Sequence, residues 1–96
     1  MAKEIIWTKR ADRKFLGILE YLKTEWSLAV AEAFLQRTYE FLDVLAKFPE
    51  LGTLQYPAKN IRGFVLTKHI TVFYKIEGQK ILLLTFFDNR QNRRAL

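Results

Sequence analysis

The sequence has no cysteine and only one histidine, His69, among its 96 residues. Without thiols the chain cannot form a disulfide, a thiolate zinc site, an iron–sulfur cluster or a cysteine nucleophile. A single imidazole leaves little for a histidine-based metal site, and no glycine-rich phosphate loop is present. We therefore expect no metal and no cofactor, and any catalysis would rest on cationic side chains and this histidine.

Long apolar segments are also missing. The longest apolar run, Ile81–Phe87, is interrupted by Thr85 and is far too short to cross a bilayer. Near the start of the chain, Lys3 and Glu4 precede only three apolar residues before Thr8, so no signal peptide is visible. We expect a cytoplasmic protein.

Acidic residues are fewer than basic ones, 10 against 16, which gives a formal net charge of +6. The excess lies in residues 58–96, which carry eight Lys and Arg against two Asp and Glu, whereas residues 26–57 carry two against four. Such asymmetry indicates an anionic partner, either a nucleic acid or an acidic protein segment. The alternative is a basic surface that serves solubility alone.

Apolar residues, by contrast, make up half of the chain, which is enough for the core of one domain spanning residues 1–96. Strands are predicted at Ile61–Thr67, Ile70–Ile76 and Lys80–Asp88, because these runs are rich in β-branched and aromatic residues. The gaps between them permit only tight antiparallel connections, and Gly78 can supply a positive φ in the second. Both faces of the last strand are apolar, which indicates a central position in the sheet.

Two helices and a short strand are predicted before this meander. Glu4–Thr8 reads as a strand that must join the later sheet. Apolar residues recur at helical spacing over Lys9–Trp26 and again over Leu28–Phe48. Thr8 and Ser27 are suitable N-caps for the two helices.

The second predicted helix carries two apolar stripes, so it has two surfaces to pack against. The sheet and the first helix would be sufficient to cover both. The alternative is a partner protein that covers the second stripe, which consists of Leu28, Ala31, Leu35, Tyr39 and Leu42.

The predicted order of elements is β-α-α-β-β-β, with residues 50–60 as a loop in which Pro57 rules out a central strand. This order indicates an α+β fold, an antiparallel sheet with an α-helical hairpin packed on one face. Residues 89–96 form a polar, basic tail that is expected to fray unless something binds it.

Several short motifs along this order resemble the RelE/ParE superfamily, the toxins of bacterial type II toxin–antitoxin (plasmid stabilisation) modules. They are Trp7-Thr8 with Ala11, Phe48-Pro49, Arg62-Gly63, Tyr74-Lys75-Ile76 and the run FDNRQN at residues 87–92. The resemblance covers nearly the whole chain. It implies a toxin that inhibits growth, is neutralised by a cognate antitoxin and forms a hetero-oligomer with it; a homodimer is a second possibility. The predicted antitoxin-binding residues are Leu28, Leu35, Tyr39 and Leu42 of the second stripe.

The superfamily has two main activities, and the residues distinguish between them. Its RelE-like members cut messenger RNA on the ribosome with lysines and arginines on the sheet and often a C-terminal Tyr or His. Gly63, Val65 and Thr71 occupy the corresponding basic positions here, and neither Tyr nor His follows Arg90. The resemblance therefore implies a ParE-like toxin that binds a macromolecular target, with DNA gyrase as the candidate.

Four arginines are the predicted target-binding residues. The planar guanidinium of Arg62 and that of Arg90 suit phosphate or carboxylate clamping, and we expect the two to converge at one end or face of the sheet. Arg93 and Arg94 would add contacts from the tail. The alternative for each is an ordinary ion pair or a solvated position.

A metal-independent, ribosome-dependent endoribonuclease of the RelE type is the alternative function. In it His69 would be the general base, and Arg62, Lys68 and Arg90 would stabilise the phosphorane. A lone turn histidine is more often a surface residue, so whether the chain is an enzyme stays open at this point. A third possibility is a degenerate member that binds an antitoxin but is not toxic.

One aromatic residue also has two interpretations. Tyr74 could stack on a nucleic-acid base. It shares a strand face with Val72 and Ile76, however, and this pattern favours a place in the core.

Overall fold

The structure, a computed structural model, describes residues 2–89. In chain order the elements are β1 (Glu4–Trp7), α1 (Lys9–Glu25), α2 (Leu28–Lys47), β2 (Thr53–Tyr56), β3 (Ile61–Val65), β4 (Ile70–Glu77) and β5 (Lys80–Asp88). Single 3₁₀ turns at Pro49–Leu51 and Pro57–Lys59 flank β2. The strands form one sheet in the order β1-β5-β4-β3-β2.

The predicted α+β fold with its helical hairpin is confirmed, and β5 lies inside the sheet between β1 and β4. The sheet is mixed, however, because β1 runs parallel to β5 with Glu4 opposite Lys80 and Trp7 opposite Leu83. The β4–β5 turn uses Gly78 at φ 60°, as the sequence predicted.

Strand β2 corrects the prediction of a loop over residues 50–60. It pairs antiparallel with β3 at the edge of the sheet, with an irregularity between Leu54 and Tyr56. Pro57 follows it directly and ends the pairing, in line with the restriction of proline to sheet edges. Since every β2 residue is exposed, the strand has no alternation of burial that could have revealed it.

Both helices begin at the predicted caps. The Thr8 hydroxyl accepts a hydrogen bond from the Ala11 N–H at 3.1 Å and donates one to the Leu83 carbonyl at 2.7 Å. The Ser27 hydroxyl accepts from the Val30 N–H at 3.1 Å and is exposed. Thr8 thus starts α1 and also fixes that start to β5.

The extra hydrogen bond of Thr8 predicts a difference in stability between variants at the two caps. Thr8→Ala should lower the free energy of unfolding by about 2 kcal/mol, whereas Ser27→Ala should lower it by about 1 kcal/mol, because only Thr8 also loses a bond to the sheet. Urea unfolding followed by circular dichroism measures both values. Equal losses would mean that the Leu83 bond does not contribute.

The core lies between the hairpin and one face of the sheet. Its largest fully buried side chains from the sheet and the end of β3 are Tyr74, Phe86, Leu66, Ile81, Leu83 and Val72. A bulge in β5 determines which of its residues face the core. Tyr74 lies opposite Leu83 and its neighbour Phe73 lies opposite Thr85, so the pairing skips one residue of β5. Leu84 is therefore the extra residue, and the buried positions shift from 81 and 83 to 86 and 88.

Candidate functional site

Arg62, one of the predicted target-binding residues, is engaged inside the protein. It lies opposite Tyr74 on the face of the sheet that the helices cover. Its Nη1 donates a hydrogen bond to the Gly52 carbonyl at 2.8 Å. Its Nε is buried and has no hydrogen-bond partner among residues 2–89.

The Tyr74 hydroxyl lies at the centre of the same region, and Tyr74 is fully buried, as its strand pattern predicted. The hydroxyl donates to the Pro49 carbonyl and accepts from the Gly52 N–H, both at 2.7 Å. Burial raises the pKa of Tyr74, an effect that the Gly52 bond and the Arg62 charge partly offset. A Cβ at Gly52 would lie 2.8 Å from the Gly63 carbonyl oxygen, so a side chain there would force the backbone apart. These contacts hold the segment after α2 against the sheet.

His69 and Lys68 lie in the turn between β3 and β4, at the end of the sheet where the described chain stops. The His69 carbonyl accepts from the Asn89 N–H at 2.8 Å. Nearby, the Arg37 Nε donates to the Leu66 carbonyl and ties α2 to this turn. Helix α2, the turn and the end of β5 therefore meet at one place.

The expected convergence of Arg62 and Arg90 stays a prediction, because Arg90 lies outside the described residues. Since Arg62 pairs with Tyr74, it lies about 13 Å along β4 from Ile70, which begins the strand next to His69. Asn89 contacts His69, so the chain continues toward Arg90 from that end of the sheet.

Arg90, Arg93 and Arg94 themselves lie outside the described residues. Of the four candidates for a nuclease, the structure thus places Lys68 and His69 together and Arg62 elsewhere.

An apolar groove of about 490 Å³ opens beside the His69 turn, between the tip of the helical hairpin and the end of the sheet. We call it the tip groove. Its lining includes Leu22, Trp26, Val30, Phe34, Arg37 and His69. Trp26 is 65% exposed and Val30 is 40% exposed. The sequence prediction missed this groove, because Trp26 counted only as the last apolar residue of the first helix.

A second groove, of about 310 Å³, lies between α1 and α2 and is lined by helix residues alone. We call it the outer groove. Its lining includes Leu16, Leu19, Leu28, Leu35, Glu20 and Glu32.

Three of the four predicted antitoxin-binding residues are on or near this surface. Leu28 and Tyr39 are 59% and 52% exposed, and Leu35 is half-buried. The prediction for Leu42 is corrected, since this side chain is only 6% exposed and belongs to the core. The buried residues of α2 come from both apolar stripes, and Leu42 is one of them. The chain itself therefore covers Leu42, and no partner is needed to bury it.

Within residues 2–89, no helix covers the other face of the sheet, and this face carries a row of aromatic rings. We call it the open face. The rings of Tyr56 and Phe73 have their centroids 6.3 Å apart, and those of Phe73 and Phe87 are 6.4 Å apart. A Cβ at Gly63 would lie 3.1 Å from the Phe73 ring, so this glycine leaves room for the ring.

The three positions that are basic in the nuclease branch all lie on the open face. Gly63 is opposite Phe73, and Val65 is opposite Thr71, so these residues share one side of the sheet. None of Gly63, Val65 and Thr71 carries a charge, and Val65 is 61% exposed. These three positions offer no cation to a phosphate, and the cations nearest to them on this face are Lys75, opposite Ile61, and Arg10, which lies beside Phe73.

Two further observations concern residues 2–89 as a whole. Over this range, no three histidine or acidic side chains are grouped so that they could hold a metal ion. Neither helix in the same range is long and apolar enough to span a membrane.

Residues 5–93 match the family model described as the ParE toxin of the type II toxin–antitoxin system, parDE. No curated protein matches the sequence.

Solved structures with a similar fold come from several bacteria. A chain of the chromosomal ParDE system from P. aeruginosa has a TM-score of 0.75 and 16% identity, covering 91% of this chain and 96% of that one. A YoeB/ParE toxin from Agrobacterium tumefaciens has a TM-score of 0.63 and 11% identity, covering 88% and 96%. A copper-bound mutant toxin from Helicobacter pylori has a TM-score of 0.59 and 12% identity, covering 93% and 97%. At these identities the structures show a shared fold.

Proposed function

Because this chain belongs to the ParE toxin family of type II toxin–antitoxin systems, we propose that it stops bacterial growth by binding a macromolecular target. The target in this proposal is DNA gyrase, as the resemblance to the ParE-like branch implies. A cognate antitoxin would neutralise the toxin by covering part of its surface. Both partners would meet it in the cytoplasm.

The observation that supports this proposal is the lack of charge at the three open-face positions that are basic in the nuclease branch. Cleavage of RNA develops negative charge on the phosphorane, and cations aimed at that charge supply much of the catalysis. The three neighbouring positions that would carry such cations are Gly63, Val65 and Thr71, and the Phe73 ring covers Gly63. A binding function fits this surface better than phosphoryl chemistry does.

A RelE-like endoribonuclease is the second candidate, and one observation favours it. Lys68 and His69 lie together at the end of the sheet where the chain continues toward Arg90. An imidazole beside cations can serve as a general base. Arg62 would not take part in that site, since its guanidinium is bonded to Gly52.

The antitoxin surface in this proposal is the outer groove together with Tyr39. Leu28 and Tyr39 expose more than half of their area, and Leu35 lies between them on the same helix. Burying such side chains against a partner contributes about 25 cal/mol for each square ångström removed from water. An apolar antitoxin segment therefore fits this face of α2.

Growth experiments distinguish the two candidates. When the chain is induced in bacteria without antitoxin, we expect DNA synthesis to stop before protein synthesis, together with a DNA-damage response. His69→Ala should remain fully toxic, because the proposed mechanism has no general base. Pulse labelling of DNA and of protein in the same culture measures the order of events.

Other results would contradict the proposal in recognisable ways. If protein synthesis stops first and His69→Ala restores it, the endoribonuclease is correct. If neither process stops while folded protein accumulates, the chain is a member without toxicity. Supercoiling by purified gyrase, with and without the purified chain, checks the target directly.

A further inference from the structure

A pocket of about 290 Å³ lies on the open face of the sheet. We call it the open-face pocket. Strands β2 to β5 supply five of its side chains, and the first turn of α1 supplies the sixth, which is the only charged one. The lining residues are Arg10, Tyr56, Ile61, Phe73, Leu84 and Thr85.

The surface around this pocket is apolar although no helix of residues 2–89 covers it. A sheet that is packed on one face normally carries polar side chains on the other. Here Val65 is 61% exposed and Tyr56 is 56% exposed. The strand pairing places further apolar residues on the same face, namely Ile61, Phe73, Leu82 and Phe87. An exposed apolar patch of this kind on a small domain indicates an interaction site.

Arg10 adds a free cation to the edge of the pocket. Its exposed guanidinium has no ion pair and no hydrogen bond within residues 2–89, and no carboxylate lines the pocket. Helix stability does not account for this residue, because a cation in the first turn of a helix opposes the helix dipole. A guanidinium is well suited to bind a carboxylate or a phosphate.

The other charges of the open face favour a protein partner over a nucleic acid. The Lys75 Nζ lies 3.3 Å from a carboxylate oxygen of Glu77. Lys80 lies opposite Glu77 on one side and Glu4 on the other. Each lysine of the described strands thus has an acidic neighbour. A nucleic acid requires several free cations along its phosphates, whereas a single carboxylate beside an apolar side chain requires only Arg10.

We propose that the open-face pocket is the site at which this toxin binds its target protein. The target places an apolar or aromatic side chain against Tyr56 and Phe73, and a carboxylate of the target pairs with Arg10. The proposal rests on the proposed function, because it takes the target from there. It adds the surface of the toxin that is used and the chemistry of the groups that it recognises.

Two physical arguments favour this contact. Tyrosine and arginine side chains supply a large share of the binding energy at protein interfaces. The floor of the pocket is also formed in advance, because the Phe73 ring lies against Gly63 and beside Phe87. A preformed site loses less conformational entropy on binding.

Charge reversal tests the role of Arg10. Arg10→Glu should raise the concentration of toxin that halves supercoiling by purified gyrase about 30-fold, because repulsion of the target carboxylate replaces attraction. Lys9→Glu is the matched control. Lys9 is exposed in the same helical turn and does not line the pocket, so this variant undergoes the same change in net charge and in its interaction with the helix dipole. It should stay within about twofold of the unmodified chain.

Truncation on β2 tests the apolar contact. Tyr56→Ala removes one wall of the pocket and should raise the same concentration about 10-fold. Leu54→Ala is the control, because Leu54 is 44% exposed on the same strand but lies opposite Arg62, on the other side of the sheet. It should inhibit gyrase like the unmodified chain. Circular dichroism verifies that all four variants are folded.

Other occupants of the pocket give different results. Fluorescence anisotropy with a labelled single-stranded oligonucleotide should show no binding that depends on Arg10 and Tyr56. If it does, the pocket holds a nucleic acid and the inference is overturned. The inference is likewise overturned if Arg10→Glu and Tyr56→Ala inhibit gyrase normally but bind the antitoxin poorly, or lose a dimer that sedimentation detects in the unmodified chain.

The gyrase assay separates this inference from the function on which it rests. If the unmodified chain inhibits gyrase and the two pocket variants do so equally well, the inference is wrong and the toxin function stands. Equal losses in the pocket variants and their controls would also overturn it. If the unmodified chain does not inhibit gyrase at any concentration, the proposed function and the inference are both wrong.

Discussion

Replacing Phe86 with alanine is expected to lower the free energy of unfolding by about 3–5 kcal/mol, the range for deleting a large core aromatic side chain. Phe86 is 2% exposed, and its ring centroid lies 5.6 Å from that of Trp7 and 5.2 Å from that of Phe15. The substitution would leave a cavity where β1, α1 and β5 meet. Urea unfolding measures the loss, and growth inhibition by the variant should fall with it.

The adjacent residue supplies the control. Phe87 lies on the open face, is partly exposed and has Phe73 as its ring neighbour at 6.4 Å. Phe87→Ala should therefore cost only about 1 kcal/mol, the value typical of substitutions outside the core. If the two variants lose the same stability, the assignment of faces after the β5 bulge is incorrect.

Tyr74→Phe is the second substitution with a large expected effect, a loss of about 2–4 kcal/mol of unfolding free energy. One hydroxyl serves two backbone groups, the Pro49 carbonyl and the Gly52 N–H, and removing it leaves both without that partner. Tyr56→Phe is the matched control. Since Tyr56 is 56% exposed, removal of its hydroxyl should change stability by less than about 0.5 kcal/mol.

The same pair of variants predicts a dependence on alkaline pH. Burial raises the pKa of Tyr74 in the folded state above its unfolded value, so the folded protein holds this proton more tightly. The resulting contribution to stability is complete below about pH 10 and is lost as pH rises through the folded pKa. The stability difference between the unmodified chain and Tyr74→Phe should therefore shrink above pH 10. A constant difference up to pH 11.5 would contradict this assignment.

Much of the fold could be predicted from the sequence because its signals are local. Thr8 and Ser27 cap the helices through bonds to residues three positions later, which is a pattern readable in the chain. The predicted helices ended at Trp26 and Phe48, one residue beyond their ends in the structure. The apolar character of both faces of β5 correctly indicated its central position.

The features that were missed depend on contacts between distant residues or on the absence of burial. The parallel pairing of β1 joins residues near the start of the chain to β5, and no local pattern specifies its direction. Strand β2 is exposed throughout, so apolar alternation could not reveal it. The bulge at Leu84 lies within a continuous apolar run, where either face would accept the same residues.

In the candidate site, too, local signals could be read from the sequence and contacts between distant residues could not. The family could be recognised from motifs, and helical spacing placed Leu28 and Tyr39 on a second apolar stripe, where both are more than half exposed. Arg62 was predicted to bind the target because its planar guanidinium suits phosphate or carboxylate clamping, whereas its hydrogen bond to the Gly52 carbonyl depends on the fold and has no signal in the sequence. The tip groove arises from the meeting of Trp26 with His69 across the fold, which spacing along the chain does not encode.

The place of β5 has a consequence during translation. Thr8 bonds to Leu83, 75 residues later, and β5 joins β1 to the rest of the sheet. Because a chain emerges from the ribosome starting at its N-terminal end, the helical hairpin leaves before the strand that completes its support. The outer groove consists of hairpin residues alone, whereas the tip groove also needs Thr67, His69 and Ile70. The hairpin therefore leaves the ribosome with its core-facing side still uncovered, and the sheet that covers this side is complete only after β5 has been made.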